Sequence, residues 1–217
     1  GGEFTSTNCA FVTNRARASE YPGDMFPGLL EWTDSNGGAV SLIGANATLS
    51  GCDFYLNRAV TGGGAIHARS SELVIENSMF NLNTVVARTS DRFDHNPEGD
   101  GRGGALEVLG SGQCTVKASS FSGNQVTGGG SGLPSSSGLL SGGGIFCGDD
   151  IAIEKSEFLG NFIRGQGYAA PVLSRGGAIY AARAATVIGS RFVNNSVVGG
   201  DSRQGGDQDR TLAGNAY

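Results

Sequence analysis

Five times along this chain a Gly-Gly pair is followed by a small residue and an aliphatic one, and then, at a near-constant distance, by a Phe-x-x-Asn tetrapeptide. Gly37-Gly38-Ala39-Val40 leads to Phe54-Tyr55-Leu56-Asn57, and Gly63-Gly64-Ala65-Ile66 leads to Phe80-Asn81-Leu82-Asn83. Gly103-Gly104-Ala105-Leu106 leads to Phe121-Ser122-Gly123-Asn124, Gly142-Gly143-Gly144-Ile145 to Phe158-Leu159-Gly160-Asn161, and Gly176-Gly177-Ala178-Ile179 to Phe192-Val193-Asn194-Asn195. A compressed unit, Gly1-Gly2-Glu3-Phe4 and then Phe11-Val12-Thr13-Asn14, opens the chain. A unit this short cannot bury an apolar face alone, so recurrence at this period requires the units to stack.

Between the two signals the apolar positions alternate. In Leu73-Val74-Ile75-Glu76-Asn77-Ser78-Met79-Phe80, the side chains of Leu73, Ile75, Ser78 and Phe80 share one face if a turn near Asn77 resets the phase. Ile151, Ile153, Ser156 and Phe158 repeat those positions, as do Ala185, Val187, Ser190 and Phe192. Period 2 is strand patterning. Short parallel strands joined by Gly- and Asn-rich bends predict an all-β fold, a right-handed parallel β-helix of about six coils spaced about 4.8 Å apart. Like residues then stack: the phenylalanines as an internal aromatic column, the residues after each Gly-Gly-Ala as an aliphatic one, and the Phe-x-x-Asn asparagines as a ladder along an outer bend. The Gly pairs suit a tight corner where no Cβ obstructs the next coil.

The distance from each Asn to the next Gly pair, by contrast, varies widely. The variable stretches are Arg15–Asn36, Arg58–Gly62, Thr84–Arg102, Gln125–Ser141, Phe162–Arg175 and Ser196 onward. In a solenoid such insertions emerge along one edge, which is the default recognition face. The first contains the only Trp, Trp32, in an aromatic group that either forms a binding lip or covers the N-terminal coils.

Composition narrows the function classes. The 38 glycines follow no G-X-Y period, which excludes collagen, and a net charge of −5 with interspersed signs lacks the basic stripe of a nucleic-acid binder. No apolar run approaches the roughly 20 residues needed to span a bilayer. Residues 1–217 read as a single β-helix domain that is a segment of a longer chain, since the sequence opens inside a repeat without an initiating Met.

The joint repeat of GGA[ILV] with FxxN resembles that of the polymorphic outer-membrane (Pmp) proteins, autotransporter passenger domains of the broader pectin-lyase-like right-handed β-helix class. The resemblance covers roughly residues 1–198, with Gly144 standing where the pattern has Ala. It implies a non-enzymatic structural or adhesive module at the cell surface or outside the cell, binding other protein subunits or surface glycans. Two alternatives stand beside it: a scaffold subunit of a large assembly, including one inside an organelle, and a polysaccharide lyase or glycoside hydrolase of the pectin-lyase-like class.

Few residues invite a chemical role. A hydrolase needs two carboxylates at about 5 to 9.5 Å, and Asp149, Asp150, Glu154 and Glu157, with Glu107 one coil earlier, form the best local group, although Glu154 shares its column with Ser50, Glu76, Lys117 and Ile188, as on an ordinary solvated face. His67 and His95 have no evident nucleophilic partner. Asn96, Glu98, Asp100, Gly101 and Glu107 match positions 1, 3, 5, 6 and 12 of a calcium-binding loop, with Pro97 inside the loop and helices missing around it; the alternative is a solvated acidic loop. Cys9 and Cys52 occupy a column otherwise filled by Ser78, Ser119, Ser156 and Ser190, so adjacent coils bring them to disulfide range, with Cβ vectors that run parallel. Asn46 and Asn194 each begin an N-glycosylation sequon.

Overall fold

The computed structural model describes residues 2–16, 35–87, 100–110, 112–128, 139–165 and 173–199. Every regular element among them is a β-strand, and every strand pairs in parallel with its counterpart in the neighbouring repeat. Five sheets result. One six-stranded sheet runs from Gly2–Thr7 through Ala45–Ser50, Leu73–Glu76, Cys114–Lys117 and Ile151–Glu154 to Ala185–Ile188. The second, the aromatic sheet, runs from Ala10–Val12 through Asp53–Tyr55, Met79–Asn81, Ser120–Ser122 and Glu157–Leu159 to Arg191–Val193. A five-stranded sheet follows the Gly-Gly corners, from Val40–Ile43 to Ile179–Ala181.

Parallel, in-register stacking puts like on like. Phe11, Phe54, Phe80, Phe121, Phe158 and Phe192 form one column with ring centroids 4.6 to 5.0 Å apart and planes within 7° of parallel. Its four middle rings are fully buried. Val40, Ile66, Leu106, Ile145 and Ile179 make the aliphatic column beside it. As the alternation requires, Leu73, Ile75, Ser78 and Phe80 all face inward.

Two expectations are corrected. The asparagine ladder is internal: Asn57, Asn83, Asn124 and Asn161 have no exposed surface. The residue that takes the left-handed conformation is the one before each Asn, with φ of 57° at Thr13, 55° at Leu56, 55° at Leu82 and 60° at Gly123. That bend turns the following Asn back into the coil, where its Nδ2 donates to the Phe carbonyl of the preceding unit, as Asn83 does to Phe54 at 2.8 Å. The second correction concerns the variable stretches. They carry two further parallel sheets, one from Arg58–Ala59 through Thr84–Ala87, Gln125–Gly128 and Phe162–Gly165 to Ser196–Val198, the other of Gly101–Arg102, Leu139–Ser141 and Leu173–Arg175. A separate apolar cluster of Ala59, Val85, Ala87, Val126, Leu140 and Ile163 lies beneath them. The insertions narrow accordingly to residues 17–34, 88–99, 129–138 and 166–172, which all fall at one point of the repeat, between the last two sheets described.

Candidate functional site

At each Gly-Gly corner the residue before the pair and the fifth residue from its first glycine lie on the outer face. Register stacks the second set as Ser41, His67, Glu107, Phe146 and Tyr180, and the first places Arg102 beside Ser141 and Ser141 beside Arg175. Outward positions of a solenoid are ordinarily solvated, yet His67 and Glu107 are 4% and 1% exposed. His67 Nδ1 pairs with Glu107 Oε2 at 2.7 Å, and Glu107 Oε1 lies 3.8 Å from Arg102 Nη1. Gly62 makes this possible, because a Cβ there would collide with the Glu107 carboxylate. Arg102 also holds Asp100 Oδ2 at 3.0 Å and sits with its guanidinium carbon 5.6 Å from the centre of the Phe146 ring. The column continues with Phe146 stacked on Tyr180 at 5.4 Å and Arg175 over Tyr180 at 5.9 Å. The stripe therefore passes from a buried acid–base pair to a cation-capped aromatic pair, fastening Gly101–Arg102 against the sheet that follows it.

Of the calcium-loop residues, Asn96 and Glu98 lie outside the described residues. Asp100 Oδ1 accepts the Leu139 N–H at 2.8 Å while its other oxygen binds Arg102, and Glu107 faces His67. Both carboxylates are thus engaged by protein donors. Among the described residues no three His, Cys, Asp or Glu side chains converge as metal ligands.

The remaining carboxylates are dispersed. Glu154 stacks between Lys117 and Ile188, and the column runs on through Glu76 to Ser50, as the sequence indicates. Glu157 lies 3.6 Å from Arg191, Asp149 3.7 Å from Arg183, and Asp150 accepts the Ala184 N–H. A shallow groove of about 410 Å³ follows the left-handed bends, lined by Leu56, Leu82, Thr84 and Gln125 among others.

All four cysteines are free thiols. Cys9 and Cys52 do stand on adjacent units, since Asp53 N–H donates to the Cys9 carbonyl. Their sulfurs are turned to different partners: the exposed Cys9 to the Thr7 carbonyl at 3.3 Å, the buried Cys52 to Ser6 at 3.4 Å. Burial pushes the Cys114 thiol far above the ordinary range, with Cys147 nearby adding to it. Burial also raises Cys147, assisted by Asp149 and Asp150 against an opposing backbone hydrogen bond at Asp149. Asn46 and Asn194 are both exposed, Asn46 on a strand and Asn194 at a bend with φ of 55°.

His67 meets a carboxylate and no nucleophile, and its pairing with Glu107 is not anticipated in the sequence reading. The signal was present: His67 and Glu107 hold the same place after Gly63-Gly64-Ala65-Ile66 and Gly103-Gly104-Ala105-Leu106. Comparison with known proteins returns no matching family model, no matching curated protein and no matching solved structure.

Proposed function

We propose that this chain is a right-handed parallel β-helix module of about six coils, structural and adhesive in role and without catalytic chemistry of its own. It holds partner proteins or surface glycans through the segments inserted at one recurring point of the repeat, at a cell surface or in the extracellular space. The observation that carries this reading is the internal use of the repeat. The recurring Phe, Asn and Gly positions are consumed in stacking, laddering and close backbone approach, so diversity is left to residues 17–34, 88–99, 129–138 and 166–172. The likeness of the GGA[ILV]/FxxN repeat to the Pmp passenger repeats supports the same role. No helix among the described residues is long and apolar enough to cross a membrane.

The test is adhesion of the immobilised chain to cells and to a glycan array. Replacing 88–99 or 129–138 by a short Gly-Ser connection is expected to abolish adhesion and leave thermal unfolding unchanged. Adhesion surviving in every shortened variant would sink the reading. Release of reducing sugars from a polysaccharide panel would replace it with a carbohydrate-active enzyme, and a chain found buried by other subunits in its native assembly with a scaffold.

A further inference from the structure

Leucine twice occupies a backbone conformation that it ordinarily avoids. The left-handed column before the ladder asparagines reads Thr13, Leu56, Leu82, Gly123, Gly160 and Asn194, and Gly or Asn bears that conformation at least cost. Leu56 and Leu82 bear it at φ of 55° while 42% and 41% exposed, so neither side chain is spent on filling the core. Backbone strain held on exposed apolar side chains points to a ligand.

Both leucines stand on one wall of the groove of about 410 Å³. Its floor is the outward face of the sheet that begins at Arg58–Ala59, where Arg58, Thr84 and Gln125 stack in register and Arg15 is bridged to Arg58 one coil earlier. Gln125 Nε2 donates to Thr84 Oγ1 at 2.9 Å, which holds both polar heads on that floor. Successive coils are about 4.8 Å apart, so the two arginines leave the sheet one coil spacing from each other. No Asp or Glu stands among the described residues that line the groove, although the chain as a whole carries −5. The groove runs along the sides of the coils, not across an end of the stack.

We propose that this groove binds a sparsely sulfated polysaccharide. A sulfate ester presents three terminal oxygens, enough for the guanidiniums of two successive coils, whereas a single guanidinium already engages both oxygens of a carboxylate. The apolar face of a sugar ring packs on Leu56 and Leu82, and ring hydroxyls exchange hydrogen bonds with Thr84 and Gln125. The net negative chain disfavours a ligand charged at every unit. A phosphopeptide offers similar oxygens, but its backbone is best held by a strand edge, and Thr84 and Val85 on the groove floor are already paired on both sides. The site is built from side chains of the coils themselves, so it is independent of adhesion through the inserted segments.

Fluorescence anisotropy of labelled chondroitin sulfate oligosaccharides tests it on the full chain, beside unsulfated chondroitin, which keeps the carboxylates and lacks only the sulfate ester. Only the sulfated form is expected to bind. Arg15→Gln is expected to weaken binding about tenfold or more, and Leu82→Gly to weaken it several-fold. Arg191→Gln removes an equal charge outside the groove and is expected to leave binding unchanged. Leu82→Gly relieves the left-handed strain, so its fold is retained, and circular dichroism with thermal unfolding checks this. No binding of the sulfated form, equal binding of the unsulfated one, or binding that neither groove variant reduces overturns the inference. Loss of binding in the variants shortened at 88–99 or 129–138 also overturns it, since the inserted segments would then hold the sugar. Tighter binding of a phosphoserine peptide, lost in the same groove variants, would assign the groove to a protein partner instead.

Discussion

Asn124 Oδ1 accepts two hydrogen bonds from Asn83, one from its backbone N–H and one from its Nδ2, each at 3.0 Å, across 41 residues of sequence. The Nδ2 of Asn124 in turn donates to the Phe80 carbonyl at 2.9 Å. Truncation by Asn124→Ala strands two donors of Asn83 and that carbonyl in a buried setting. At about 1–3 kcal/mol per buried unsatisfied group, the loss is expected to reach about 3 kcal/mol or more. Asn14→Ala removes an exposed side chain that donates one bond, to Asn57, and is expected to cost below about 1 kcal/mol. Urea unfolding of the two variants decides the matter: equal losses contradict a buried ladder.

Much of this was legible in the sequence because solenoid stacking converts recurrence directly into contact. The columns of Phe80, Ile66, Ser78 and Glu154 follow from counting along each unit, and their register is as counted. The inward turn of Asn83 was not legible. It depends on which residue of Phe80-Asn81-Leu82-Asn83 takes positive φ, and Leu82, which carries no compositional preference for that conformation, is the one that does. The two further sheets show no clean alternation for a different reason: Arg58–Ala59 and Gly101–Arg102 are two residues long, and a four-residue strand such as Thr84-Val85-Val86-Ala87 carries apolar residues on both faces. The buried stripe at the Gly-Gly corner was missed because outward positions were read as solvated, whereas Gly62 admits the Glu107 carboxylate against the backbone.

Two glycines separate steric from conformational necessity. A Cβ on Gly64 would meet the Gly104 carbonyl oxygen and the Thr84 backbone of adjacent strands, whereas Gly160, at φ of 59°, has open space around the same position. Gly64→Ala must push the coils apart and is expected to cost more than about 4 kcal/mol, in the range reserved for disrupted cores. Gly160→Ala meets only the left-handed penalty, about 1–2 kcal/mol, which Leu56 and Leu82 already bear in the same column. Thermal unfolding that ranks Gly160→Ala as the more damaging change would refute the close-approach assignment.

Burial of Cys114 makes stability fall at alkaline pH. The native thiol keeps its proton well above the ordinary value of 9.0, while the unfolded thiol ionises near it. Native stability from this group is therefore complete below about pH 8 and declines as pH rises past about 9, by about 1.4 kcal/mol per pH unit. Cys147, also raised, adds in the same direction. Cys114 stacks between Leu73 and Ile151, so Cys114→Val fits the column. Between pH 8 and pH 10 the variant should lose about 1.4 kcal/mol less stability in total than the unmodified chain, as read by chemical unfolding. An equal loss would place the thiol in contact with solvent.

The His67–Glu107 pair should behave unlike the surface ion pairs. Both side chains are nearly inaccessible, at 5% and 2%, so removing one leaves the other buried without its partner. Glu107→Leu is expected to cost about 3–5 kcal/mol. The double variant His67→Leu/Glu107→Leu removes both polar groups and is expected to recover part of that loss, because two apolar side chains then continue the column that Phe146 and Tyr180 begin. The Arg191–Glu157 pair, with side chains 63% and 48% exposed, sets the contrast: Glu157→Gln should change stability by less than about 1 kcal/mol. Salt separates the two, since added sodium chloride screens exposed charges and reaches buried ones far less. Unfolding free energies of the four proteins at low and high salt should show a persistent penalty for Glu107→Leu. A penalty that vanishes in high salt would mean that Glu107 stands in water and that the stripe at the Gly-Gly corner is an ordinary solvated face.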